Sequence, residues 1–347
     1  MKKPLIFAGA AVLAAGAAYL GTGNFLFGQL LSRRTAANGF CGLPNEDILA
    51  GKPSQKKMSP WDSFVQNLIG EVSGIEGFYE KPYFPIFQEG VKWYLDKNPQ
   101  EVVTDSPRGE RLHAEMIKND MPSDVWVICV HGFGNCPRDF GTIAQQYDAW
   151  GCNVLLPHLC AHGKSESRFI SMGWLDRIDI TAWIAWLNRE YDNPKIILHG
   201  VSMGSATVMM TTGEPLPDNV VCAISDCGYS SIWDEYASQI KQTLHIPSFP
   251  VLNALDTVVR LRLGFSLKEA SSVEQVKKSK TPTLFIHGDA DDFVPFAMLD
   301  KVYEAAACEK AKLVVPGAAH AEGVYHPALY YGAIWAFIER YLPGALL

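Results

Sequence analysis

Ser202 stands in Gly200-Val201-Ser202-Met203-Gly204, between the apolar run Pro194-Lys195-Ile196-Ile197-Leu198-His199 and the helix-compatible residues Ser205 to Met210. A buried strand, a G-x-S-x-G pentapeptide and a helix form a sharp turn that lifts a serine hydroxyl clear of the sheet. The residues two before and two after the serine must have almost no side chain, because backbone crowds them in such a turn. The turn also sets the next backbone N–H at a helix N-terminus, where it can stabilise an oxyanion. A hydroxyl is a weak nucleophile at neutral pH, so it needs a base, and the base needs an orienting acid. Candidates for both lie downstream. Gly288-Asp289-Ala290-Asp291-Asp292-Phe293-Val294-Pro295 follows a strand ending at His287, and Pro316-Gly317-Ala318-Ala319-His320 follows the last strand. Asp289 and Asp292 suit capping of the following helix, whereas Asp226 ends an earlier strand and is a rival acid. His326 is a rival base, but beside Pro327 a loop or helix-start role suits it better.

These residues need a scaffold that delivers them to one edge. Val125 to Val130 is a continuous apolar run that ends in His131-Gly132-Phe133-Gly134. Further strands are predicted at Asn153-Val154-Leu155-Leu156, Val220 to Ile224, Thr283 to His287 and Lys312 to Val315, with helices at Arg138 to Trp150, Trp174 to Tyr191, Ala297 to Ala307 and Ala328 to Tyr341. Glu101 to Thr104 and Leu112 to Ile117 flank Pro107-Arg108-Gly109 and read as a hairpin. Alternation of this kind gives a mainly parallel sheet covered by helices on both faces, with functional groups at the C-terminal ends of the strands. Between about residues 230 and 280 the pattern is helical and Pro-interrupted, as expected of a small helical cap inserted above that edge.

Gly200 to Gly204, His131 to Gly134, the G-x-x-D-x-x-V-P run and the late His320 together resemble the α/β-hydrolase fold family, over about Glu101 to the C-terminus. The nearest type resembles bacterial membrane-anchored or exported serine hydrolases of the prolyl-aminopeptidase-like and carboxylesterase branches. The resemblance implies Asp291 as the acid, His320 as the base and the N–H groups of Phe133 and Met203 as the oxyanion hole. It implies a carboxylic-ester substrate, with a short peptide or an acyl transfer as alternatives, and requires no cofactor and no metal. A binding module that has lost the chemistry would lack one of the three side chains, and all three are present.

The rest of the composition narrows the field. The 347 residues carry a net charge of −7 with no basic stripe, which argues against a nucleic-acid partner. His158-Leu159-Cys160-Ala161-His162 resembles a metal cluster, but no second motif supplies a third ligand. The eight cysteines show no framework spacing, so free thiols are expected. Trp183 and Trp186 suit a core, and Trp174 begins the same predicted helix. Tyr79, Tyr83, Phe84 and Phe87 are expected to pack on the body, as is the helical-spaced set Trp61, Phe64, Val65, Leu68 and Ile69. Residues 1–34 begin Met1-Lys2-Lys3 and continue without an acidic residue to Arg33-Arg34. The uncharged stretch is long enough to span a bilayer and predicts a signal anchor with an extracytoplasmic body, or a secreted protein if it is cleaved near Ala15-Gly16-Ala17. Residues 35–100 read as a linker and packing extension, and 101–347 as the hydrolase-like body.

Overall fold

The computed structural model describes residues 3–37, 39–51 and 78–347. The predicted packing set from Trp61 to Ile69 lies outside them. Among the described residues eight strands form one sheet in the order β1-β2-β4-β3-β5-β6-β7-β8. They are β1 (Gln100–Asp105), β2 (Arg111–Ile117), β3 (Val125–Val130), β4 (Asn153–Pro157), β5 (Lys195–Val201), β6 (Val220–Asp226), β7 (Thr283–Gly288) and β8 (Lys310–Val315). The first two strands form the predicted hairpin, with Val102 opposite Ala114, and β2 pairs antiparallel with β4. All later pairings are parallel, so β3, β5, β6, β7 and β8 end on the same edge.

Two cores follow from the two-residue repeat of a strand, which sends alternate side chains to opposite faces. Trp126, Ile128 and Val130 of β3 enter the core beneath α4 (Asp176–Glu190), α5 (Met203–Thr212), α7 (Val251–Leu263) and α9 (Ala297–Ala305). Val125, Val127 and Cys129 enter the core beneath α2 (Phe84–Lys97), α3 (Gly141–Ala149) and α10 (Pro327–Glu339). Trp183 and Trp186 belong to the first of these cores, as expected, and Trp174 joins them with the Arg177 guanidinium 3.5 Å over its ring. The predicted helix from Arg138 opens as a tight turn at Pro137–Phe140 before α3 begins. The segment between β6 and β7 is helical, with α6 (Ile232–Gln239), α7 and α8 (Ser272–Val276).

The second half of the N-terminal apolar run packs one face against the body. Lys3–Leu30 is one helix, α1, and its second half lies along α7. Leu26, Phe27, Leu30 and Leu31 are buried in the main core, the Tyr19 and Thr257 hydroxyls are 3.1 Å apart, and Arg262 donates to the Asn24 side chain at 2.7 Å. At Gly23 the two helices approach so closely that a Cβ would lie 2.2 Å from the Ala254 carbonyl oxygen. Among the described residues no helix is long and apolar enough to cross a membrane. The helix buries Leu26, Phe27 and Leu30 against the rest of the protein and leaves Leu20 and Phe25 exposed.

Candidate active site

The turn after β5 is tight for a physical reason. A Cβ on Gly200 would lie 2.2 Å from the Gly204 carbonyl oxygen, and one on Gly204 would lie 1.9 Å from that of Val130. Backbone therefore touches backbone on both sides of Ser202. Ser202 itself takes φ 58° and ψ −119°, a conformation that costs a non-glycine residue about 1–3 kcal/mol. Its N–H donates to the Asp226 carbonyl at 2.9 Å, which ties the strained residue to the end of β6.

Three side chains from three strand ends meet there. The Ser202 Oγ lies 2.8 Å from His320 Nε2, and His320 Nδ1 donates to Asp291 Oδ2 at 2.8 Å. With Nδ1 carrying the proton, Nε2 is free to accept the serine proton. Asp291 is buried and well supplied with donors. Its Oδ1 accepts from the N–H groups of Phe293 and Val294, at 3.0 and 2.9 Å. Its Oδ2 is also 3.1 Å from His287 Nε2, whose N–H is shared with the Val294 carbonyl oxygen. Burial alone would push the Asp291 carboxyl up, but His320 and His287 outweigh it and hold the group down at about 2.

The rival groups are engaged elsewhere. Asp226 is buried, accepts from the Tyr330 hydroxyl at 2.9 Å, and is pushed up to about 6, mainly by burial. Asp289 accepts from the Gly317 N–H at 2.6 Å, Asp292 is exposed on the cleft rim, and His326 is exposed at the start of α10.

The loop after β3 crosses close to the serine. A Cβ on Gly132 would touch the Ser202 Cβ at 3.4 Å, a tight fit for any larger residue. Among the described residues the Phe133 N–H has no protein acceptor, and the Met203 N–H, at the first position of α5, has no partner within its helix. Both are available to an oxyanion. His162 holds this loop in place, a role that sequence reasoning did not assign to it. Its Nε2 accepts from the Gly134 N–H at 3.0 Å, and its Nδ1 donates to the Cys160 carbonyl at 2.9 Å. Burial drives its pKa down to about 4, so the ring stays neutral and keeps a lone pair for that N–H. The only sequence signal was the apparent His158–His162 metal cluster. His158 turns instead towards Glu115 at 3.3 Å. All eight cysteines are free thiols, and burial pushes Cys160 and Cys227 well above the usual thiol range.

The serine and histidine face a cleft of about 470 Å³ lined by Phe40, Phe78, Tyr83, Phe87, Phe133 and Phe293 among others. Phe84 is buried in a cluster with Leu43, Ile48, Phe87 and Val91. Tyr83 and Phe87 reach the cleft as well, Tyr83 stacked on Tyr325 with ring centroids 4.0 Å apart.

Residues 125–245 match the alpha/beta hydrolase fold family. The structure superposes on an esterase of Pyrococcus furiosus with a TM-score of 0.59 at 20% identity, covering 72% of this chain and 93% of that one. The fold is that of the α/β hydrolases. An acylaminoacyl peptidase of Pyrococcus horikoshii shares this α/β-hydrolase fold at a TM-score of 0.53 and 20% identity, over 70% of this chain and 41% of that one. In sequence, the chain is 37% identical over 216 residues to the alpha/beta hydrolase domain-containing protein aho-3 of Caenorhabditis elegans, covering 60% of this chain and 52% of that protein. It is 28% identical over 172 residues to the uncharacterized protein YqkD of Bacillus subtilis, covering 49% of this chain and 56% of that protein. The chain spans about half the length of these relatives.

Proposed function

We propose that this α/β hydrolase is a serine hydrolase that cleaves carboxylic esters through an acyl-enzyme. One observation carries the reading: the Ser202–His320–Asp291 chain, with contacts of 2.8 and 2.8 Å, opens directly on an aromatic-lined cleft. Ser202 Oγ attacks the ester carbonyl as His320 Nε2 takes its proton. Asp291 keeps the His320 Nδ1 proton in place and stabilises the imidazolium that forms. The N–H groups of Phe133 and Met203 receive the developing oxyanion. Collapse of the tetrahedral intermediate breaks the C–O bond, and His320 returns its proton to the departing alcohol. Water then adds to the acyl-enzyme by the same relay and releases the acid.

A fluorophosphonate probe tests the reading. Labelling should fall on Ser202 and disappear in Ser202→Ala, with turnover of a p-nitrophenyl ester reduced by about 10⁴-fold or more. Labelling that survives the substitution would overturn it. Parallel turnover of an aminoacyl p-nitroanilide measures how far amide cleavage accompanies ester cleavage.

A further inference from the structure

Beside Ser202, on the side facing the cap, lies a second and much smaller cavity of about 30 Å³. Phe133, Ser202, Gln239 and Phe293 line both this cavity and the main cleft, so the two spaces meet at the candidate nucleophile. Two polar groups on its lining have no protein partner among the described residues. Glu235 is only 3% exposed and Tyr236 only 6%, and among the described residues neither Glu235 Oε2 nor the Tyr236 hydroxyl has a hydrogen-bond partner. Both sit on α6. Gln239, one turn on, donates to Glu235 Oε1 at 3.2 Å and to the Phe293 carbonyl at 2.6 Å, which fixes one carboxyl oxygen and leaves the other open. A buried polar group left without a partner costs about 1–3 kcal/mol, so two of them on one cavity point to a ligand group.

The lining indicates what that group is. Phe133, Tyr229, Tyr236 and Phe293 are aromatic, and the Tyr229 hydroxyl is already committed to the Met172 carbonyl at 2.8 Å. A carboxylate among aromatic rings suits a compact cation, which gains from the ring quadrupoles as well as from charge pairing. We infer that the cavity is a specificity subsite in which Glu235 and Tyr236 receive the ammonium group of an aminoacyl substrate. The inference rests on the serine-hydrolase reading above and narrows its substrate to esters of amino acids. A space that begins at Ser202 and holds about one small polar group admits an amine only when it lies next to the scissile carbonyl. Burial pushes the Glu235 carboxyl up to about 8, against the pull of Gln239 and with the repulsion of Asp291 and Asp234 added. An entering ammonium restores the charge, and the carboxyl proton leaves to solvent.

Two nearly isosteric substrates test this, glycine p-nitrophenyl ester and p-nitrophenyl propionate. Their kcat/KM ratio, divided by the ratio of their spontaneous hydrolysis rates, should favour the glycyl ester by about ten-fold or more in the unmodified protein. Glu235→Gln should lower that ratio by about ten-fold, and Tyr236→Phe, which removes only the hydroxyl, should lower it by a smaller factor. A corrected ratio near unity in the unmodified protein overturns the inference, as does a ratio that neither substitution moves. Failure of the underlying reading looks different: neither ester is turned over and Ser202 takes no fluorophosphonate.

Discussion

Two buried carboxyl groups flank Ser202, and their environments are opposite. Asp291, on the loop after β7, is supplied by two backbone N–H groups and two imidazoles and is held at about 2. Glu235, on α6 of the cap, has one amide donor and is pushed to about 8. Both are almost fully covered, so burial does not separate them; the supply of donors does. Asp226 falls between, with the Tyr330 hydroxyl and a value of about 6. The contrast suggests a division of labour. A relay acid must stay charged throughout a reaction, and a subsite acid can wait for its partner to arrive.

The sharpest way to break the comparison is at the acid itself. Asp291→Asn should lower kcat on a p-nitrophenyl ester by about 10⁴-fold through the wrong His320 tautomer. Asp226→Asn should cost less than about ten-fold, since its carboxylate serves Tyr330 rather than the histidine. Equal losses in the two variants would erase the distinction. A smaller effect is expected at the loop that carries Phe133. His162→Leu leaves the Gly134 N–H buried without its acceptor and should lower unfolding stability by about 1–3 kcal/mol, read from urea denaturation.

The smallest effect is in the pH dependence of stability. Glu235 moves from an ordinary 4.5 to about 8 on folding, so between those values the folded state holds the extra proton. Its contribution to stability is therefore present below about pH 4.5 and declines as pH rises towards 8. Asp291 runs the other way: its folded value lies below the ordinary 3.8, so its contribution is present above that pH and is lost only as pH falls towards 2. Melting temperatures taken from pH 5 to 9 should fall less steeply in Glu235→Gln than in the unmodified protein. Parallel curves would mean that Glu235 is ionised in the folded protein and that the contrast with Asp291 is overstated.

The sheet and the strand ends are written into the sequence because apolar runs and glycine turns are local signals. Ser202, Asp291 and His320 could be nominated because each follows a short apolar run that reads as a buried strand. The choice among Asp226, Asp289 and Asp291 needed the resemblance, since which carboxylate meets an imidazole is a matter of tertiary approach. Glu235 left no trace at all: a glutamate in an amphipathic helix looks solvated until the cap is folded onto the body. Tyr83 and Phe87 were hidden for a related reason, because an aromatic residue reads alike whether it fills a core or faces a cleft. In the N-terminal segment hydropathy likewise could not separate residues that pack on the body, Phe27 and Leu31, from residues that stay exposed, Leu20 and Phe25.

The contact of main chain with main chain at Gly200 and Gly204 has a further implication. The height of the Ser202 hydroxyl above the sheet is set by peptide atoms that β3, β5 and α5 share, with no intervening side chain to be enlarged or trimmed. The position of that hydroxyl is thereby insulated from side-chain drift elsewhere, while the cap side chains that face it, Glu235, Tyr236 and Gln239, can be exchanged without altering that main-chain contact.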